Sequence, residues 1–266
     1  VTDARNAAGT VAEIDGREAG ADELRALALT NYGHFTTLRV EDGAARGLAL
    51  HLERLRRDCF ALFGAELDTG RVREWVRRTL PARGATTVRV TVFDPGLGLA
   101  RPEQAAAPRV LVTRREAAGE ALPPLRVRSV TYERDAPEVK SVALFGSLRQ
   151  RRAARLAGYD DALFTDRRGR VSEGGTWNIG FVDAGGRVVW PEAECLEGVT
   201  MRLLRGAGAC APVPLSEAVR MEAAFATNAA FGVRPLASLD DREFPPTHPV
   251  LHDLTTRYAA IRPEPV

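Results

Sequence analysis

The sequence predicts an α+β chain built as two domains. Three observations carry this: segments that alternate apolar and polar residues, an apolar stripe recurring every three to four residues between them, and one loose Ala/Gly/Glu/Pro stretch that divides the chain. At 266 residues and 45% hydrophobic content, two separate cores can be filled.

The elements follow in order. Phe35 to Val40 (FTTLRV) reads as a strand, closed by a turn at Glu41, Asp42 and Gly43. A helix is expected from Leu48 to Phe63, because Leu48, Leu52, Leu55, Cys59 and Leu62 form one stripe. A second helix is expected from Asp68 to Leu80, stopped by Pro81. Thr86 to Phe93 and Arg109 to Thr113 alternate as strands. Arg114 to Pro124 is the loose stretch, which sets domains of residues 1–116 and 117–266. Beyond it, Arg126 to Tyr132 reads as a strand and Ser147 to Leu156 as a basic helix. Asp161 to Thr165, Asn178 to Val182 and Arg187 to Trp190 read as short strands, and Thr200 to Arg205 as a short helix.

Composition excludes several classes. Net charge is +2, too small a field to draw in nucleic acid or an acidic membrane. The Arg-rich run Arg149 to Arg155 has helical spacing and reads as a solvated face rather than a nucleic-acid patch. No apolar run has membrane-spanning length, and the N-terminal residues lack a charged-then-apolar leader pattern. Cys59, Cys195 and Cys210 are odd in number and far apart, which argues against a disulfide framework and for a cytoplasmic location. His248 and His252 have no partner at ligand spacing, so no metal is expected. Gly206 to Ala211 imitates a dinucleotide fingerprint, but the expected helix precedes it instead of following it.

One feature points to chemistry. Of 37 Lys plus Arg residues only Lys140 is lysine, leaving 36 arginines. Arginine holds its proton at neutral pH, whereas a lysine amine can lose it and attack a carbonyl. A lone surface lysine surviving by chance is the bland alternative.

From Lys140 the sequence becomes specific. Glu138-Val-Lys140-Ser is followed by Gly158-Tyr-Asp160-Asp161-Ala, then Ser172-Glu173-Gly174-Gly175-Thr176-Trp177-Asn178, then Gly198-Val199-Thr200. This order and spacing resembles the class IV aminotransferases, the fold-type IV pyridoxal phosphate (PLP) enzymes. The family includes branched-chain and D-amino acid aminotransferases and 4-amino-4-deoxychorismate lyase. The resemblance extends back to Phe35-Thr-Thr-Leu-Arg39 and His51-Leu-Glu-Arg54, and forward to Thr227-Asn228-Ala229 and Gly232-Val-Arg-Pro235.

The resemblance implies a two-domain fold-type IV enzyme with PLP between the domains and a homodimer as the assembly. It implies that Lys140 forms the Schiff base and that Glu173 faces the pyridine nitrogen. Arg54, Val199, Thr200, Asn228 and Ala229 are implied to handle the phosphate. Arg39 and Arg89 are the candidates for the substrate carboxylate. On residues alone, Glu173 is a solvated turn carboxylate, and Arg54, about 100° around the helix from Leu55, is a surface charge. The implied reaction is transfer of an amino group from a donor to a keto acid. The closest alternative is the lyase, which eliminates pyruvate to give 4-aminobenzoate. Branched-chain aminotransferases carry Tyr five residues after the lysine, and here that residue is Phe145, so the subfamily stays open. A non-catalytic binding protein on the same fold is the alternative of another class.

Overall fold

A computed structural model describes residues 11–104, 106–117, 119 and 122–266. Most of the N-terminal stretch and part of the loose 114–124 segment lie outside the described residues. The chain divides into two compact units. Unit 1 is Val1–Ala118 with Val139–Ala143 and Pro263–Val266; unit 2 is Gly119–Glu138 with Leu144–Arg262. The short segment carrying Lys140, assigned to the second domain from sequence, groups with unit 1, because its main chain bonds to the strand His34–Glu41.

Unit 1 begins with a hairpin, β1 (Val11–Ile14) and β2 (Arg17–Glu18), turned at Asp15 and Gly16, both at positive φ. Helix α1 (Ala21–Thr30) follows, then β3 (His34–Glu41) and β4 (Ala44–Ala45). Asp42 (φ 46°) and Gly43 (φ 77°) make the β3–β4 turn at the predicted place. Helix α2 (Leu48–Phe63) matches its predicted limits, and α3 (Thr69–Thr79) is capped by Asp68, whose side chain accepts from the Arg71 N–H. Strands β5 (Ala85–Phe93) and β6 (Arg109–Glu116) complete the central hairpin.

Unit 2 runs β7 (Leu125–Thr131), α4 (Phe145–Leu156), β8 (Asp161–Thr165), β9 (Val171–Gly174), β10 (Asn178–Val182) and β11 (Val188–Pro191). Next come α5 (Val199–Leu204), β12 (Gly208–Ala211), α6 (Leu215–Ala218), β13 (Ala223–Asn228), β14 (Gly232–Leu239), β15 (Arg242–Glu243) and α7 (Pro249–Ala260). The terminal β16 (Glu264–Pro265) returns to unit 1. Gly208 to Ala211 is a strand beside β11 rather than a nucleotide-binding turn. His248 caps α7, its ring accepting from the Val250 N–H.

The unit 1 sheet has the order β16-β4-β3-β5-β6-β1-β2 and is antiparallel throughout. One face supplies Leu38, Val40, Val88, Val90 and Val112, which pack with Leu48, Leu55 and Cys59 of α2 and Val72 and Val76 of α3. The unit 2 sheet has the order β12-β11-β10-β13-β14-β7-β8-β9, with β15 beside β14. Its parallel pairs are β11–β12, β14–β7 and β7–β8. Phe181, Ala224, Ala226, Leu163 and Trp177 fill one core, while Trp190 and Phe225 meet edge to face in a second with Leu251 and Leu254 of α7. Among the described residues no helix is long and apolar enough to cross a membrane.

Candidate active site

Strand alternation sorts the unit 1 groups. Phe35, Thr37 and Arg39 lie on the sheet face away from α2, and the register sets Thr91, Arg89 and Thr87 opposite them. Arg39 and Arg89 are therefore diagonal neighbours. The Arg89 guanidinium lies 3.6 Å above the Phe35 ring, and the Lys140 amine lies 4.8 Å from the same ring. Arg89 also donates to Thr91 Oγ1 at 3.2 Å, and it has no carboxylate partner among the described residues. Burial lowers its pKa from the ordinary guanidinium range. A half-buried guanidinium without an anion suits an incoming carboxylate.

The Lys140 main chain is fixed in place. Its C=O accepts from the Phe35 N–H at 2.9 Å, its N–H donates to Asp58 Oδ2 at 3.1 Å, and the neighbouring Ser141 bridges to His34.

Arg54 corrects the helical reading. It is buried rather than exposed, and its Nη2 donates to Thr36 Oγ1 at 2.6 Å on the α2 side of the sheet. Thr36 Oγ1 lies 2.7 Å from His51 Nδ1. His51, Arg54 and Asp58, spaced by three and four residues, form a second, polar stripe that is buried beside the apolar one. Burial, assisted by the charges of Arg54 and Lys140, holds His51 neutral. His34 is pushed down to about 3 by burial, and neither ring nitrogen has a hydrogen-bond partner among the described residues.

In unit 2, Glu173 is buried on β9, and Arg134 Nε donates to its Oε1 at 2.9 Å. The solvated-turn reading therefore fails, because a buried carboxylate needs a cation or donors beside it. Val199 and Thr200 open α5 as expected, both buried. The Thr200 hydroxyl is fully enclosed and has no hydrogen-bond partner among the described residues. Asn178 braces the loop before α5: its Nδ2 donates to the Leu196 C=O at 2.7 Å, and its Oδ1 accepts from the Gly198 N–H at 3.0 Å. A Cβ on residue 198 would collide with that Asn178 oxygen, which explains the glycine.

Asn228 and Ala229 lie at the β13–β14 turn. The Asn228 side chain is committed to that turn, accepting from the Ala230 and Phe231 N–H groups at 2.9 and 3.1 Å. Trp177 is a core residue, its indole N–H donating to Asp161 Oδ2 at 3.0 Å, and Arg151 donates to Asp161 Oδ1 at 2.8 Å. A cavity of about 280 Å³ on this unit is lined by Arg151, Arg155, Asp161, Asn228 and Arg234 among others. Phe145 opens α4 and is 78% exposed. Burial pushes the Cys59 thiol up to about 11 and the Cys195 thiol to about 12, so neither is a ready thiolate nucleophile. No cluster of three metal-ligating side chains occurs among the described residues.

Sequence reasoning did not single out Asp58, which meets the Lys140 main chain, His51 and Thr36, which meet Arg54, or Arg134, which meets Glu173. The polar spacing His51–Arg54–Asp58 was a usable signal; Arg134 had none.

The family pattern described as amino-transferase class IV matches residues 33–239, most of the chain. This chain belongs to the class IV aminotransferase family. Its fold is similar to that of the Thermoproteus uzoniensis branched-chain aminotransferase solved with norvaline, at TM-score 0.84 and 20% identity over 94% of each chain. It is also similar to the T.th. branched-chain amino acid aminotransferase complexed with N-(5'-phosphopyridoxyl)-L-glutamate, at TM-score 0.82 and 20% identity over 96% of this chain and 94% of that one. A putative 4-amino-4-deoxychorismate lyase from Legionella pneumophila matches at TM-score 0.78 and 21% identity, over 91% of this chain and 95% of that one. No curated protein sequence matches this class IV chain.

Proposed function

We propose that this chain is a pyridoxal 5'-phosphate-dependent transaminase that moves an amino group between an amino donor and a keto acid, with Lys140 as the amine that holds the cofactor. One observation carries the reading: the chain's one lysine amine and a guanidinium with no carboxylate partner among the described residues, Arg89, meet at one ring, Phe35. An amine for the cofactor's aldehyde and a cation for the substrate's carboxylate are two groups that transamination of an amino acid requires.

The fit to the cofactor rests on donors already in place. The orphaned Thr200 hydroxyl and the N–H groups at the start of α5 suit a phosphate, and buried Glu173 suits a pyridinium nitrogen. PLP, when bound, supplies the electron sink that makes the substrate α-proton removable. Lys140 Nζ then takes and returns that proton. Glu173, which Arg134 orients, would set a negative charge against the ring nitrogen. Arg54 adds a buried positive charge for the phosphate, and the Asn228–Ala229 turn offers it main-chain contacts. Arg39 and Arg89 bind the substrate carboxylate. The assembly is a homodimer. Supporting that, Phe145, Leu148 and Leu156 leave one exposed apolar stripe along α4.

The lyase is the second reading, favoured by Phe145, whose exposed ring offers no hydroxyl where branched-chain aminotransferases carry Tyr. Purified protein tests the cofactor first. The expected result is a yellow chromophore, a borohydride-stable mass increment on the Lys140 peptide, and loss of both in Lys140→Ala. Absence of chromophore and increment in the unaltered chain overturns the reading and leaves a binding protein on this fold. Two assays then separate the reactions: amino transfer across a panel of L- and D-amino acids, amines and keto acids, and pyruvate with 4-aminobenzoate from aminodeoxychorismate. Activity in the second assay alone makes it the lyase.

A further inference from the structure

We propose that Asp58 is a positioning residue for Lys140, holding the main chain from which the reactive amine projects; this rests on the reading of Lys140 as the cofactor-holding amine. Lys140 lies in a segment, residues 139–143, that belongs to no regular helix or strand. Such a segment needs fixing by other means if a side chain on it is to meet an aldehyde in one geometry. On one side β3 does this: Phe35 donates to the Lys140 C=O, and Val142 donates to the Gly33 C=O at 3.0 Å. On the other side the Lys140 N–H finds no strand. It finds the carboxylate of Asp58 at 3.1 Å.

Asp58 is 0% exposed. Its second oxygen, Oδ1, takes two N–H groups from Arg57, Nε at 3.0 Å and Nη2 at 2.7 Å. Both oxygens are thus assigned, one to a counter-ion at the surface and one to the lysine main chain. Burying an ionised carboxylate is costly, and a neutral acceptor could satisfy a single N–H. What the carboxylate adds is a second oxygen, so that one oxygen is anchored by Arg57 while the other holds the lysine main chain. Asp58 sits near the middle of α2, ten residues beyond Leu48 and five short of Phe63, so it is not a helix cap. Its place on the buried polar stripe with His51 and Arg54 aims it at the 139–143 segment. With both main-chain polar atoms of Lys140 held, the side chain starts from a fixed point and carries its amine to the Phe35 ring.

The test uses the full chain stripped of PLP, and follows three quantities: the rate of PLP bonding to Lys140 by stopped-flow absorbance, binding of pyridoxine 5'-phosphate, which has no aldehyde, and deuterium exchange of the 139–143 amides. In Asp58→Ala the bonding rate is expected to fall tenfold or more and Lys140 amide exchange to rise tenfold or more. Pyridoxine 5'-phosphate affinity should stay within twofold. Asp58→Asn, which keeps an oxygen acceptor, should recover at least half of the rate. A bonding rate in Asp58→Ala within twofold of the unaltered chain overturns the proposal. So does a parallel loss of pyridoxine 5'-phosphate binding, which would mark a general structural role. Should Asp58→Ala not fold, Arg57→Gln at a half-exposed position carries the test, with a threefold slower bonding rate expected and no change overturning the idea. Failure of the unaltered chain to give a reducible Lys140 bond would instead refute the cofactor assignment, independently of Asp58.

Discussion

Unit 1 and unit 2 bury their polar groups in different ways. In unit 1, His34, Thr36, His51, Arg54 and Asp58 intrude into the layer where α2 packs on the sheet, among Leu38, Leu55 and Cys59. In unit 2, Glu173, Asn178 and Thr200 lie at strand and helix ends, next to short glycine-containing turns. The first arrangement burdens the core, since each buried polar group needs a partner from a distant part of the chain. The second leaves the cores of Phe181, Trp190 and Phe225 apolar. Changes at His34 and Thr36 in unit 1 should therefore register in stability, and a change at Glu173 in unit 2 in activity.

The largest effect should come from Glu173→Gln. The amide oxygen can still accept from Arg134, so melting temperature should hold, while loss of the charge lowers amino-transfer turnover by about a hundredfold or more. Equal losses of stability and activity would break the contrast between units. Thr36→Val comes next. It removes the hydroxyl that receives Arg54 and contacts His51, and should cost about 1.5–3 kcal/mol in urea unfolding.

A pH series gives a third, smaller effect. The His34 pKa falls from an ordinary 6.5 to about 3 on folding. Between those values the unfolded chain binds the proton and the folded chain does not, so stability drops as pH falls from 6.5 toward 3. The slope from this residue approaches about 1.4 kcal/mol per pH unit. His34→Phe should flatten the slope; an unchanged slope would assign the acid sensitivity to other groups. The smallest effect is expected for Trp177→Phe, which keeps the ring in the unit 2 core but removes the N–H given to Asp161. A loss of about 1 kcal/mol in thermal unfolding is expected, with activity retained.

Most of the elements up to the short helix after Gly198 were legible from the sequence. Helix α2 and strands β8 and β10 have the limits expected for them, because each carries an unbroken apolar period. Strands β9, β13 and β14 and helices α1 and α7 are not legible in the same way. Val171–Gly174 is too short to show a period, and α1 buries no residue fully, so it has no strong stripe to read.

The sequence by itself determined the family and the residues to examine, since the ordered blocks around Lys140, Glu173 and Thr200 are local strings whose spacing survives in one dimension. Only the tertiary structure decided what surrounds each of them. It turned Arg54 from a surface charge into a buried donor to Thr36, and it revealed that Asp58 holds the Lys140 main chain across 82 positions of sequence. Helical periodicity reports how far a residue lies from an apolar stripe. It cannot report that the neighbouring strand offers a hydroxyl, Thr36, and the 139–143 segment a main-chain N–H to polar side chains beside that stripe. Those partners exist only once β3, α2 and the 139–143 segment are packed together, and that packing is what makes burial of Arg54 and Asp58 tolerable.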